Sequence, residues 1–131
     1  MLTLLFPHFL RLFSPLLSLF LNSGTGDFYV NGLRYVEYFT ELDHRWDLCA
    51  PFYYTKTLTD FDMIAIVRGG GRSGQAGAIK HAAAKALQAY DRPRFRPMLK
   101  KKFLLSRDSR VVERKKYGQK KARKRFTFVK R

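Results

Sequence analysis

Residues 63–90 read MIAIVRGGGRSGQAGAIKHAAAKALQAY, a strand, a glycine turn and a helix in immediate succession. Met63 to Val67 is continuous, apolar and β-branched, the pattern of a buried strand. Gly69-Gly70-Gly71-Arg72-Ser73-Gly74 then turns the chain. From Gln75 to Tyr90 the spacing predicts a helix. Ile79, Ala83, Ala86, Leu87 and Tyr90 share one face, and Lys80, His81, Lys85 and Gln88 point away. Such a helix lays one side on a sheet and offers the other to solvent or an anion. His81, on the polar side, reads as an exposed contact rather than a catalytic group.

The letters of Gly69–Gly74 also fit G-x-G-x-x-G. That fingerprint needs a second parallel strand with an acid at its end about twenty residues on. Asp91 has the distance, but Arg92-Pro93-Arg94 around it reads as a turn. A phosphate loop needs Lys and Ser/Thr where Gln75-Ala76 stand. A tight turn remains, and its amides at a helix N-terminus suit a backbone phosphate of RNA.

Upstream, Leu16–Leu21 and Asp27–Val30 read as strands around the turn cluster Asn22-Ser23-Gly24-Thr25-Gly26, and together predict a hairpin. Asn31-Gly32 ends the second strand. Tyr35, Val36, Tyr38 and Phe39 predict one or two helical turns. His44 to Asp60 gives no clear element, and Trp46, Phe52, Tyr53 and Tyr54 are assigned to core or rim packing.

Residues 1–21, MLTLLFPHFLRLFSPLLSLFL, are strongly apolar. A signal peptide needs a basic start and a small-residue cleavage site, and a transit peptide needs more Arg and Ser. A membrane span has the length, but Pro7 and Pro15 interrupt it and Arg11 sits inside it. The favoured reading is an extension, residues 1–15, that packs against a neighbouring protein. The span is retained as a rival.

Charge divides the chain. Residues 1–67 hold four Lys or Arg against seven acids, and residues 68–131 hold twenty-two against three. The net charge is +16 and the pI about 10.4, so the second half is a surface for a polyanion. Arg114 to Arg131 carries ten Lys or Arg in eighteen residues with no acid, and Tyr117, Phe126 and Phe128 sit among them. Rings among cations stack on bases while the cations take phosphates. Before this tail, Pro97 is placed at the start of a short helix with a basic face, and Leu104-Leu105 anchor the chain. Cys49 is alone and His8, His44 and His81 have no ligand spacing, so neither disulfide, metal site nor cofactor is expected. No nucleophile is paired with a base, so the chain does not read as an enzyme.

Several stretches resemble a known family. Gly69-Gly70-Gly71, Ser73 to Ile79, Arg107-Asp108, Arg110, Val112 to Lys116, Gly118, Lys121-Ala122-Arg123 and Lys130-Arg131 match ribosomal protein nine of the small subunit, and Gly26 to Phe39 matches more weakly. The resemblance implies an α+β domain over residues 16–106. It would have a four-stranded sheet with helices on one face, like the second domain of ribosomal protein five, a left-handed crossover, and a basic tail over 107–131. It implies a place in the head of the small subunit, bound to rRNA, with the tail running toward peptidyl-site tRNA. The rRNA-binding candidates are Arg72, Lys80, Lys85, Lys100, Lys101, Lys102, Arg107, Arg110, Arg114, Lys115, Lys116, Lys120, Lys121, Arg123, Lys124 and Arg125. The tRNA-binding candidates are Lys130 and Arg131. Neighbouring ribosomal proteins are further partners, one of them on residues 1–21, and no small-molecule substrate is implied.

Two departures stand out. The family opens its first strand with a basic Tyr-Gly-Thr-Gly-Arg-Arg-Lys stretch where this chain is apolar, and it commonly has Ser where Val129 stands. Twelve Phe and the apolar opening suit a product made inside an organelle, so a mitochondrial ribosome is expected ahead of a plastid or bacterial one. A nucleotide-binding enzyme and a membrane-anchored basic protein are the rival classes.

Overall fold

The computed structural model describes residues 16–128. In chain order the elements are β1 (Leu16–Ser23), β2 (Phe28–Val30), β3 (Leu33–Arg34), α1 (Tyr35–Tyr38), α2 (Leu42–Thr55), β4 (Phe61–Arg68), α3 (Arg72–Tyr90) and α4 (Arg92–Lys101). The four strands form one sheet in the order β1-β4-β2-β3. The architecture is the expected α+β fold.

Strand β4 alternates along its length. Phe61, Met63, Ala65 and Val67 are buried, while Ile64, Ile66 and Arg68 are exposed. Side chains alternate faces along a strand, so one sheet face carries the core and the other stays open. The core joins these residues to Phe28 and Val30 of β2, Leu48 and Phe52 of α2, Ile79, Ala83 and Leu87 of α3, and Phe95 and Leu99 of α4.

The pairing corrects the predicted hairpin. Strands β1 and β2 do not pair with each other. β4 lies between them, antiparallel to β1 (Leu19 opposite Ala65) and parallel to β2 (Tyr29 opposite Ile64). The cause is Asp62. Its Oδ1 accepts from the amides of Thr25, Gly26 and Asp27 at 2.8–2.9 Å, so the turn cluster closes around the start of β4. These three amides hold the Asp62 carboxyl below its usual pKa. The hairpin that does form is β2–β3, through Asn31 (φ 52°) and Gly32 (φ 83°). Positive φ at both central residues is what a type I′ turn requires, and Asn-Gly is its preferred pair.

Asn31 does more than turn the chain. Its amide donates to the Ala65 carbonyl at 2.8 Å, its Nδ2 donates to the Val67 carbonyl at 3.0 Å, and its Oδ1 accepts from the Val67 amide at 2.9 Å. The side chain thus continues the β2–β4 ladder past the end of β2.

The unread stretch 44–60 is mostly α2. Within it Phe52 is fully buried, tilted against Phe28 at 4.8 Å between ring centroids, whereas Trp46 and Tyr53 are exposed. Core packing therefore holds for Phe52 and not for those two. The helix ends where Lys56 takes φ 56°, with the Thr57 amide donating to the Phe52 carbonyl and the Lys56 amide to Tyr53. That is a Schellman closure on a residue other than glycine.

Helix α3 begins at Arg72, three residues before the predicted start, because Gly71 already lies at its N-cap. Its buried face is Gln75, Ala76, Ile79, Ala83, Ala84 and Leu87. Tyr90, expected on that face, is exposed at the last turn of the helix, where its ring makes a T-shaped pair with Phe61. Arg92-Pro93-Arg94 is the first turn of α4 rather than a loop. Asp91 caps that helix by accepting from the Arg94 amide at 3.2 Å, and proline is tolerated there because the first amides have no helical partner. Pro97 is therefore inside the helix and not its start. The apolar segment 1–15 lies outside the described residues. Its continuation, Leu16–Leu21, is β1 as expected. Among the described residues no helix is long and apolar enough to cross a membrane.

Candidate nucleic-acid interface

The glycine turn is held by side chains from two elements. Tyr38 of α1 donates its hydroxyl to Oε1 of Gln75 at 2.8 Å, and Gln75 Nε2 donates to the Gly69 carbonyl at 3.1 Å. Gly69 and Gly70 both have positive φ, at 81° and 68°, which only glycine adopts without strain. Arg72 lies over the Tyr38 ring, 4.4 Å from its centroid, and donates to the Tyr38 carbonyl. Of the predicted contacts, Arg72 is thus exposed but already stacked. Strand β4 is the last strand before α3 and α4, and Asp91 caps a helix instead of ending a strand. The dinucleotide geometry is absent from the described residues.

Of the two predicted contacts on α3, one is tied down: Lys80 donates to Asp47 of α2 at 2.8 Å, whereas Lys85 is half-buried. His81 is also half-buried, which corrects its reading as an exposed group. Its Nδ1 stands 3.3 Å from the Leu104 carbonyl. A carbonyl only accepts, so the ring donates from Nδ1. Burial lowers the His81 pKa, the Leu104 carbonyl opposes that, and the nearby Lys85 and Arg107 charges lower it further. The unfolded chain therefore takes this proton more readily. Stability is full above about pH 6.5 and falls as the pH drops below it. His81→Gln is expected to flatten that acid loss. Thermal midpoints at pH 7 and pH 5.5 check this, and an equal drop in both proteins counts against it.

Next to His81 the chain leaves the core. After α4, Phe103 takes φ 56° and the Leu104 amide donates to the Leu99 carbonyl at 3.1 Å. Leu104 and Leu105 pack against the core, as anticipated. Beyond them nearly every residue is exposed.

Helix α4 adds Arg92, Arg94 and Arg96, which the sequence reading did not name, to the predicted Lys100 as candidate contacts. Arg92, Arg96 and Lys100 recur every four residues and line a shallow groove with Pro93 and Pro97. Spacing of four on a helix stacks side chains along one face. Arg94, also exposed, lies over Phe95. The signal was present in the spacing, and reading Arg92-Pro93-Arg94 as a turn concealed it. Lys100, Lys101 and Lys102 are exposed as expected, with Lys102 4.8 Å above the Tyr54 ring.

The tail is not a bare string of cations. Asp108 accepts from both the amide and the guanidinium of Arg110, at 2.5–3.0 Å. Glu113 accepts from Arg123 through both oxygens and from Lys116 at 3.0 Å. Lys116 also donates to the Ala122 carbonyl, and the Lys120 amide to the Lys124 carbonyl at 2.8 Å. Residues 113–124 thus close into a loop. Hydrogen bonds from Arg123 and Lys116 hold the Glu113 carboxyl at a pKa of about 2, so it stays ionised throughout the neutral and mildly acid range. Glu113→Gln is expected to open it. Trypsin should then cut faster after Lys116 and Arg123, and an unchanged rate contradicts the role given to Glu113.

Each acid of residues 68–131 has a local bond: Asp91 caps α4, Asp108 holds Arg110 and Glu113 holds the loop. Arg107, Arg114, Lys115, Lys120, Lys121, Lys124 and Arg125 pair with no carboxylate among the described residues. Tyr117, Phe126 and Phe128 are exposed beside them, and Lys120 lies 5.3 Å from the centroid of Phe126. Lys130 and Arg131, with Val129, lie outside the described residues. Among the described residues no group of His, Cys, Asp and Glu is arranged to hold a metal.

A family model described as ribosomal protein S9/S16 matches residues 17–131, the whole sheet, helices and tail. The chain belongs to the ribosomal protein S9/S16 family. Relatives named small ribosomal subunit protein uS9 agree with this. Those of Rickettsia rickettsii (strain Sheila Smith) and Rickettsia canadensis (strain McKiel) are each 50% identical over 111 residues. The match covers 85% of this chain in both cases, and 69% and 68% of the respective relatives. As an S9/S16 ribosomal protein the chain is structural rather than enzymatic, which removes the nucleotide-binding enzyme as a rival.

Proposed function

We propose that this S9/S16 protein neutralises and steadies rRNA in the head of the small ribosomal subunit, and that its C-terminus reaches peptidyl-site tRNA. As a family member it is a constituent of the small subunit, with rRNA and other ribosomal proteins as partners. The observation that carries the finer reading is the acid bookkeeping of the second half. With Asp91, Asp108 and Glu113 locally bonded, the cations of α4 and the tail are left facing outward. Outward cations on a fixed frame take phosphates, and phosphate contacts position a protein without reading sequence. Arg92, Arg94 and Arg96 join the contact set on the same argument. The domain of residues 16–106 then serves as a mount, and residues 107–131 as the RNA-binding extension.

Lys130 and Arg131 are assigned to the tRNA anticodon stem backbone, on the family resemblance and on their place at the end of the cationic tail. Subunits carrying a chain that ends at Val129 should assemble normally and bind peptidyl-site tRNA several-fold more weakly. Equal tRNA affinity in the two kinds of subunit refutes the assignment. The mitochondrial ribosome is the proposed home, supported by the twelve Phe and the apolar opening of the chain. Cell fractionation tests it, and recovery with cytoplasmic ribosomes overturns it.

A further inference from the structure

Helix α2 is apolar on two sides. Leu48 and Phe52 face inward and are fully buried. On the outer side Leu42, Trp46 and Tyr53 follow at helical spacing, with the half-buried Cys49 between them. Their exposures are 75%, 49% and 53%, and the Trp46 and Tyr53 rings lie 5.1 Å apart. A helix at the surface of an isolated domain carries polar residues on its outer face, so a second apolar stripe on that face marks a surface that is covered. Exposed Trp and Tyr side by side are the residue types that anchor protein interfaces.

Charge selects what covers this face. Glu41 and Asp43 flank Leu42 and are exposed, and Glu37 of α1 is exposed nearby in the chain. Arg45 turns its guanidinium to the carbonyls of Val36 and Phe39. The Leu42 end of this face therefore repels phosphate and complements a cation, while Lys102 over Tyr54 lies beside its Tyr53 end. We propose that the outer face of α2 docks a basic segment of a neighbouring small-subunit protein, one with Lys or Arg around an apolar anchor that sits on Trp46 and Tyr53. The proposal rests on membership of the small subunit and adds a second, protein-facing surface opposite in charge to the RNA-facing tail.

The test uses the full chain assembled into purified small subunits, with photoreactive benzoylphenylalanine replacing Trp46. Irradiation is expected to link it to one ribosomal protein, at a peptide rich in Lys and Arg. The double variant Trp46→Ser, Tyr53→Ser should leave the free chain with an unchanged urea midpoint, since both side chains are exposed. Subunits carrying it should still contain the chain but hold several-fold less of the linked protein. A link to rRNA, to residues 1–15 of the same chain or to a second copy overturns the proposal, and so does no link at all. Absence of the chain from small subunits defeats the functional reading itself and this inference with it.

Discussion

A chain ended at Ser106 is expected to fold and to lose nearly all affinity for small-subunit rRNA. Folding should survive because the core is complete by Leu105: Leu104 and Leu105 are the last residues packed against it. Binding should fail because the truncation removes the seven cations of the described tail that pair with no carboxylate, from Arg107 to Arg125, and Lys130 and Arg131 with them. Each phosphate contact contributes about 0.7–0.9 to the slope of log affinity against log salt. If most of the seven touch phosphates, the slope should flatten by roughly 5. Filter binding across a salt series reads both quantities. A truncated chain that keeps the full slope places the contacts on the globular part instead.

Phe52→Ala is expected to remove a large part of the stability of the domain. Phe52 is fully buried in the core, with its ring packed against Phe28. Truncating a buried Phe costs about 3–5 kcal/mol, against about 5–15 kcal/mol for a typical domain. Urea unfolding should show a midpoint lowered by roughly a fifth or more. A loss under about 1 kcal/mol, the scale of an exposed substitution, contradicts the core assignment.

The core element was legible because its signals agree. The apolar run Met63 to Val67, the three glycines and the 3.6-residue period from Ile79 to Leu87 all point to one strand–turn–helix unit. Helix α2 was illegible for a definite reason. Leu48 and Phe52 on one side, with Leu42, Trp46 and Tyr53 on the other, leave no polar stripe to set a period, and Pro51 stands inside. Sheet order failed on a non-local cause. Adjacent strands in the chain suggest a hairpin, and nothing near Gly24 announces that Asp62, more than thirty residues on, gathers the turn's amides. In the tail, charge density was plain but its internal pairing was not. Glu113 reaches Arg123 ten residues away only because the loop brings them together.

If RNA holds this chain in the small ribosomal subunit, its sedimentation depends on that RNA. A native lysate run through a magnesium-containing sucrose gradient measures this. The chain is expected to travel with the small subunit and to move to the top of the gradient once the RNA is digested. A chain found at the top before digestion, or unmoved by it, is not held there by RNA.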